Sequence, residues 1–196
     1  MASPEASFEV LITVERCKMI KAKISPIGEA ERAPLMSAAL QNAREFLNAY
    51  RVLRSHNNAC LTTKQSPVFI VDVVNLAFAI ELLLKALLYS EAKKARGHKL
   101  DELFELLSPQ TQEEIKRNFA ELLIRTSGHS RDTFGLTFED KLKQYAKTYE
   151  NWRYLHEKNP GSFHSDFCEN LALVLNEVAA AQFNELRNAY WASQIA

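Results

Sequence analysis

The sequence predicts an all-α protein, a single-domain bundle of about seven helices. Glycine and proline are scarce, with 5 glycines and 6 prolines among 196 residues, so few tight turns can be made. Apolar residues recur at helical spacing in several long segments, and no segment shows the alternation typical of a strand. With 47% hydrophobic residues, the chain has enough apolar surface for one core, so residues 1–196 are expected to form one domain.

The first two predicted helices run from about Pro4 to Ile24 and from about Glu29 to Arg54, and together they suggest a helical hairpin. Ser25 and Pro26 end the first of them. Residues 55–65 are polar and lack periodicity, which predicts an exposed connection. The second helix carries one apolar stripe, formed by Met36, Leu40, Ala43, Leu47 and Tyr50.

The third predicted helix begins with Ser66 as N-cap and Pro67 at the first helical position, and it runs to about Lys94. It is apolar nearly all round, which predicts a central helix covered on every side and, with it, a homodimer. Its length is that of a membrane span, but four polar residues make burial in lipid costly, so no membrane segment is expected: Asp72, Asn75, Glu81 and Lys85.

Four further helices complete the prediction. Gly97 separates the third helix from a short fourth one, from about Lys99 to Leu107. The fifth starts at Ser108-Pro109 and ends near Thr126, and residues 127–135 form a polar loop. The seventh runs from about His164 to Trp191 with its apolar residues at Phe167, Leu171, Val174, Val178 and Ala181.

The sixth predicted helix starts at the N-cap Thr137 and ends by Asn159. Its apolar seam is unusually regular, because its members alternate four and three residues apart: Phe138, Leu142, Tyr145, Tyr149 and Trp152. His156 occupies the next place in that series.

Charge and cysteine usage exclude several classes of protein. Lysine plus arginine equals aspartate plus glutamate, 24 against 24, so there is no overall positive field to hold a polyanion. The cysteines Cys17, Cys60 and Cys168 are odd in number and widely spaced, which predicts reduced thiols in a cytoplasmic protein. The N-terminus does not have the pattern of a signal peptide. His164 and Cys168 form a lone pair with ligand spacing, so neither a metal site nor a cofactor is predicted.

Glu81 and Lys85 lie four residues apart in the most apolar helix, so they share a face and can form an ion pair. A buried charge needs such a partner, and a structural pair is the favoured interpretation. Asp72 and Asn75 point about the opposite way on this helix, and we expect them to bond a neighbouring helix or another subunit.

The segment WRYLHE places Arg153 and His156 three residues apart on one helix face, with Glu157 one turn after Arg153. An arginine can hold a phosphate while a histidine transfers a proton, which is the minimum needed to cleave RNA without a metal. The alternative is structural. In that interpretation His156 is a packed member of the aromatic seam and Arg153 bridges to a carboxylate such as Glu81.

The basic stretch KKARGHK surrounds the break at Gly97 and also contains His98. It could bind a phosphate, and a solvated helix end would have the same composition, which is the favoured interpretation. The candidate phosphate-binding residues are Lys93, Lys94, Arg96 and Lys99.

The run NLAFAIELLLKALL, the following GHKLDELFELL and the later WRYLHE together resemble the HEPN superfamily of small helical bundles. Residues 66–158 carry the likeness, flanked by the N-terminal hairpin and the long C-terminal helix. The residues that match are Glu81, Lys85, Gly97, His98, Leu100, Leu103, Phe104, Arg153, Tyr154 and Glu157.

This resemblance implies an all-helical fold, a homodimer and, in many members, a metal-independent endoribonuclease of a prokaryotic toxin–antitoxin or anti-phage system. Arg153 and His156 are then the candidate catalytic residues, with Glu81, Lys85, His98, Tyr154 and Glu157 supporting the site. Catalytic members usually space the arginine and histidine by four to six residues, whereas two separate them here. A non-catalytic module that dimerises or binds RNA, an antitoxin or a defence-system protein is therefore the alternative.

Overall fold

The computed structural model describes residues 24–63, 69–127, 137–146 and 165–195. These residues form six helices and one two-stranded antiparallel ribbon, so the all-α class is confirmed. In chain order the elements are β1 (Ile24–Pro26), α1 (Glu29–Thr63), α2 (Phe69–Ser90), β2 (Lys93–Ala95), α3 (Leu100–Glu105), α4 (Pro109–Ser127), α5 (Phe138–Gln144) and α6 (Ser165–Ile195). The predicted helix at Pro4–Ile24, apart from Ile24 itself, and the predicted cap at Ser66-Pro67 lie outside the described residues.

Helix α2 is the centre of the bundle, as predicted. It packs against α1, α6 and α3, and its leucine-rich face is fully buried. Among its residues from Val71 onward, only Val71 is exposed, so the helices of one chain already cover it. The all-round apolar character that predicted a homodimer is thus explained within the chain. Within the described ranges, no helix combines the length and apolar character of a membrane span.

Helix α1 contributes the predicted stripe to the core, because Met36, Leu40, Ala43, Leu47 and Tyr50 are all buried. Helix α6 runs antiparallel to it: Arg44 Nε donates to Asn176 Oδ1 over 3.3 Å, and Arg54 Nη2 donates to Ser165 Oγ over 2.9 Å. The predicted apolar seam of α6 is buried from Phe167 to Val178. Its last member, Ala181, is exposed, so the seam ends one turn earlier than predicted.

The prediction of an exposed connection over residues 55–65 is wrong for residues 55–63, because α1 continues to Thr63, and residues 64 and 65 lie outside the described residues. Asn57 and Cys60 are buried on the side that faces the bundle, and Asn57 hydrogen-bonds to Asp72 of α2. The segment contains weak helix formers but neither glycine nor proline, so tertiary contacts can keep it helical.

The absence of strands was also predicted wrongly. Helix α2 ends at Ser90 rather than near Lys94, and Ala92 takes a positive φ of 57° at the turn that follows. Strand β2 then pairs antiparallel with β1, Ile24 opposite Ala95. Ile24 and the two lysines of β2 were assigned to helices, because three-residue strands are too short to show an alternating pattern.

The predicted starts of α4 and α5 are confirmed. Ser108 caps α4 by accepting the backbone N–H of Thr111 at 3.2 Å, with Pro109 at the first helical position. Thr137 and Asp140 form a reciprocal capping box at the start of α5. Helix α5 ends at Gln144, fifteen residues before the predicted end at Asn159, and Tyr145 and Ala146 form a turn. Residues 147–159 of that prediction lie outside the described residues.

Candidate functional site

A buried carboxylate lies near the middle of α2. The Glu81 side chain is 2% exposed, and its Oε1 accepts a hydrogen bond from Lys85 Nζ over 2.7 Å. The ion pair predicted from the four-residue spacing is therefore confirmed. The Lys85 side chain is 17% exposed, so this pair reaches from the core to the edge of the surface.

His98 is the third member of this group. Its Nδ1 lies 3.0 Å from both Oε1 and Oε2 of Glu81, although 17 positions separate the two residues in the sequence. The His98 side chain is 50% exposed, so the imidazole stands between a buried carboxylate and solvent. We call Glu81, Lys85 and His98 the Glu81 cluster. Sequence reasoning placed all three near one site but did not predict the contact between His98 and Glu81.

The backbone around Gly97 brings His98 to α2. Gly97 has a φ of 106°, a conformation that side chains with a Cβ rarely adopt. Three residues after Gly97, Leu100 is buried and begins α3, and its N–H donates to the carbonyl of Ala146 over 3.0 Å. His98 is therefore held between a glycine turn and an anchored helix start.

The favoured interpretation of the basic stretch KKARGHK, a solvated helix end, is wrong for its first two lysines. Lys93 and Lys94 lie in strand β2 rather than at a helix end. Lys93 Nζ is bound to Glu91 Oε2 at 2.7 Å and to the carbonyl of Leu106 at 2.9 Å. Lys99 Nζ is bound to Glu102 Oε1 at 2.8 Å, and Lys94 and Arg96 are exposed. Two of the four candidate phosphate-binding cations are thus already paired with carboxylates.

Glu91 forms a polar junction that the sequence did not reveal. Its carboxylate accepts the backbone N–H of Ser108 at 2.9 Å and the hydroxyl of Thr111 at 2.7 Å, at the start of α4. Burial raises the pKa of Glu91, but the hydrogen bonds from Lys93, Thr111 and Ser108 outweigh that effect and lower it below its usual range. The sequence predicts the helix start at Ser108-Pro109, but it does not predict that Glu91, 17 residues earlier, bonds to it.

A second buried polar group connects α1, α2 and α6. Asn57 Nδ2 donates to Asp72 Oδ2 over 2.7 Å, and burial raises the pKa of Asp72. The Tyr50 hydroxyl donates to Glu169, and burial followed by this bond raises the pKa of Tyr50 above its usual range. Asp72 thus bonds a neighbouring helix as predicted. Asn75 does not, since its Nδ2 donates to the carbonyl of Val71 in the same helix over 2.6 Å.

Two cysteines, Cys60 and Cys168, lie among the described residues, and both are buried. Cys60 is close to His56, with Sγ 3.3 Å from Nε2. Burial raises the pKa of the Cys168 thiol, which makes it a poor nucleophile and a poor metal ligand. Within the part of the chain that the structure describes, no group of three or more potential ligands could hold a metal ion.

A cleft between α1, α4 and α6 has a volume of about 850 Å³. Carboxylates and cations both line it, among them Glu29, Arg32, Glu113, Arg117 and Glu185. Because carboxylates and cations line this cleft together, its charge favours neither an anionic nor a cationic ligand.

The candidate catalytic residues Arg153 and His156 lie outside the described residues, as do Tyr154, Glu157 and His164. Comparison of the chain with protein-family models, with curated proteins and with solved structures found no match. The Glu81 cluster is accordingly interpreted from its own geometry.

Proposed function

We propose that this chain is a HEPN-type helical bundle that acts on RNA in a prokaryotic stress or defence response, and that it cuts RNA without a metal ion. The supporting observation is that His98 and Lys85 both contact Glu81, because these three residues belong to the resemblance and meet in one cluster. Three more residues of the resemblance are buried directly after them: Leu100, Leu103 and Phe104.

The chemistry of RNA cleavage agrees with this cluster. RNA carries its own nucleophile, the 2′-hydroxyl, so an enzyme needs a group that moves protons and cations that hold the phosphate. A half-exposed histidine is a group of the first kind. Arg153 stays the predicted phosphate holder and His156 a further predicted acid–base group, in a toxin–antitoxin or anti-phage setting with a cognate antitoxin or defence-system protein as partner.

The test is incubation of the purified chain with a labelled single-stranded RNA in EDTA. We expect shorter RNA products, and an all-2′-O-methyl copy of the same oligonucleotide should stay intact because its nucleophile is blocked. Intact RNA after long incubation at micromolar protein would overturn the ribonuclease proposal.

A second candidate function is a non-catalytic interaction module. It is favoured by the pairing of Lys93 with Glu91 and of Lys99 with Glu102, which reduces the positive charge available to RNA phosphates. In this case the chain forms a homodimer or binds a protein partner. Light scattering that shows a dimer, together with intact RNA in the assay above, would support the module over the enzyme.

A further inference from the structure

We infer that the outer face of the β1–β2 ribbon binds the phosphate backbone of single-stranded RNA, with Lys94 and Arg96 contacting two successive phosphates. This inference rests on the proposed function of acting on RNA and deepens it, since it assigns the surface on which the RNA lies. We call Ser25, Lys94 and Arg96 the basic ribbon face.

The first step of the argument concerns the direction of the side chains along β2 and the residue that follows it. Ala95 is 8% exposed, whereas Lys94 before it and Arg96 after it are exposed. This alternation is typical of a strand with one covered face, so Lys94 and Arg96 lie on the outer face, about 7 Å apart along the backbone. Ser25 of β1 is exposed and lies opposite Lys94, so it belongs to the same face.

The second step concerns the charge that this face carries. The neighbouring lysines of the basic stretch, Lys93 and Lys99, are each paired with a carboxylate. Within the part of the chain that the structure describes, Lys94 and Arg96 are paired with none. Residues 24–26, which form the facing strand, contain no charged residue. Two positive charges on the basic ribbon face are therefore available to an external anion.

The third step concerns the kind of anion that fits. Two cations at successive outward positions of an extended backbone match a strand that repeats its negative charge, as the RNA backbone does. Arginine can bind a phosphate through two parallel N–H···O bonds, and lysine binds one as a point charge. The chain as a whole has no net charge, so binding of a polyanion has to be local. Because both contacts are to phosphates, this face positions RNA without reading its sequence.

The basic ribbon face is adjacent to the Glu81 cluster. Only Gly97 separates Arg96 from His98, so the Cα atoms of these two residues are at most about 7 Å apart. His98 Nδ1 in turn lies 3.0 Å from the Glu81 carboxylate. RNA that is bound along the ribbon therefore lies next to the cluster that supports the proposed function.

The test uses an all-2′-O-methyl single-stranded RNA as the probe, because it has the phosphate backbone of RNA but cannot be cut at its blocked 2′-oxygens. Fluorescence anisotropy measures its Kd between about 50 and 200 mM KCl, and the slope of log K against log salt reports the number of phosphates contacted. For Lys94→Gln combined with Arg96→Gln, the double glutamine variant, we expect this slope to become less steep by about 1.4, which is about 0.7 for each lost contact. At about 50 mM KCl its Kd should rise roughly tenfold or more.

The matched control is Arg51→Gln combined with Arg125→Gln, which removes the same charge from two exposed positions. Arg51 lies 22 residues after the start of α1, or about 33 Å along the helix from β1. Arg125 lies in the last turn of α4, at the end of that helix away from Ser108 and Glu91. The control should keep the wild-type slope. Lys94→Arg combined with Arg96→Lys keeps both charges and should keep most of the slope as well.

The outcomes distinguish this inference from the proposed function. If the wild type neither binds the probe nor cuts unmodified RNA, both are wrong. If it binds the probe and cuts RNA while the double glutamine variant keeps the wild-type slope, the proposed function stands and the role of the basic ribbon face is overturned. An equal change of slope in the control also overturns that role, because the effect then comes from net charge.

Two further results are also decisive. If the wild type binds the probe without cutting RNA and the double glutamine variant has the less steep slope, the basic ribbon face is supported and the ribonuclease proposal is wrong. If the double glutamine variant loses its helical circular dichroism, Lys94→Gln and Arg96→Gln are measured singly. Each should make the slope less steep by about 0.7, and a wild-type slope in both would overturn the inference.

Discussion

Asn57 of α1 donates a hydrogen bond to the Asp72 carboxylate of α2 over 2.7 Å, and both side chains are buried. No local pattern connects these residues, because they lie 15 positions apart on different helices. The bond replaces the water that the Asp72 carboxylate loses on burial, and it fixes the distal half of α1 against α2.

Loss of this bond should destabilise the protein. Asn57→Ala leaves the Asp72 carboxylate buried without its donor, so we expect the free energy of unfolding to fall by about 2 kcal/mol. Urea denaturation followed by circular dichroism measures it. Asn58→Ala is the matched control, since Asn58 is exposed one position along the same helix, and it should change stability by less than about 0.5 kcal/mol. Equal effects of the two variants would contradict the structure.

The buried Asp72 carboxyl also leads to a prediction about how stability depends on pH. Burial raises its pKa in the folded protein above the ordinary value of about 3.9, so folding favours the protonated form. The contribution of Asp72 to stability is therefore full below about pH 3.9 and declines as pH rises through the folded pKa. Asp72→Asn cannot ionise, and its stability relative to wild type should be higher at pH 7 than at pH 3.5. A difference that is constant between these two pH values would contradict the buried carboxylate.

Removal of the central carboxylate of the Glu81 cluster should be costly. Glu81→Ala leaves the mostly buried Lys85 ammonium without its partner, and we expect a loss of about 3 kcal/mol. Glu121→Ala on the exposed face of α4 is the control and should change stability little. A loss below about 1 kcal/mol for Glu81→Ala would mean that the pair behaves as an exposed surface pair.

Glu91 should support the start of α4 in a pH-dependent manner. Glu91→Gln weakens the bonds to Ser108, Thr111 and Lys93, and we expect a loss of about 2 kcal/mol at pH 7. The pKa of Glu91 is lowered in the folded protein, so its contribution is present above about pH 4.3 and is lost as pH falls through the folded pKa. The melting temperatures of the two proteins should approach each other as the pH falls below about 4, and a gap that stays constant would contradict this role.

The catalytic roles proposed for Arg153 and His156 lead to a separate prediction about RNA cleavage. If they act on RNA, His156→Ala should abolish cleavage with little change in melting temperature. Arg153→Lys should also fail, because lysine cannot make the two-pronged contact to a phosphate. If His156 is instead packed in the aromatic seam, its removal lowers stability. A lower melting temperature with cleavage retained would assign both residues to the structure.

The sequence by itself determined the helical class, the central position of α2 and several helix starts. The Met36-to-Tyr50 stripe, the Ser108-Pro109 start and the Thr137 cap depend on residues within a few positions of one another, so local pattern is sufficient to find them. The Glu81–Lys85 pair was predictable for the same reason, because one turn of helix sets its geometry.

Only the tertiary structure decided what depends on distant partners. Residues 55–63 are helical because Asn57 meets Asp72, and Lys93–Ala95 form a strand because Ile24–Pro26 lies beside them. The turn at Gly97 and the anchoring of Leu100 likewise bring His98 to Glu81. In each case the free energy comes from a contact between segments far apart in the chain, which local propensity and periodicity do not contain.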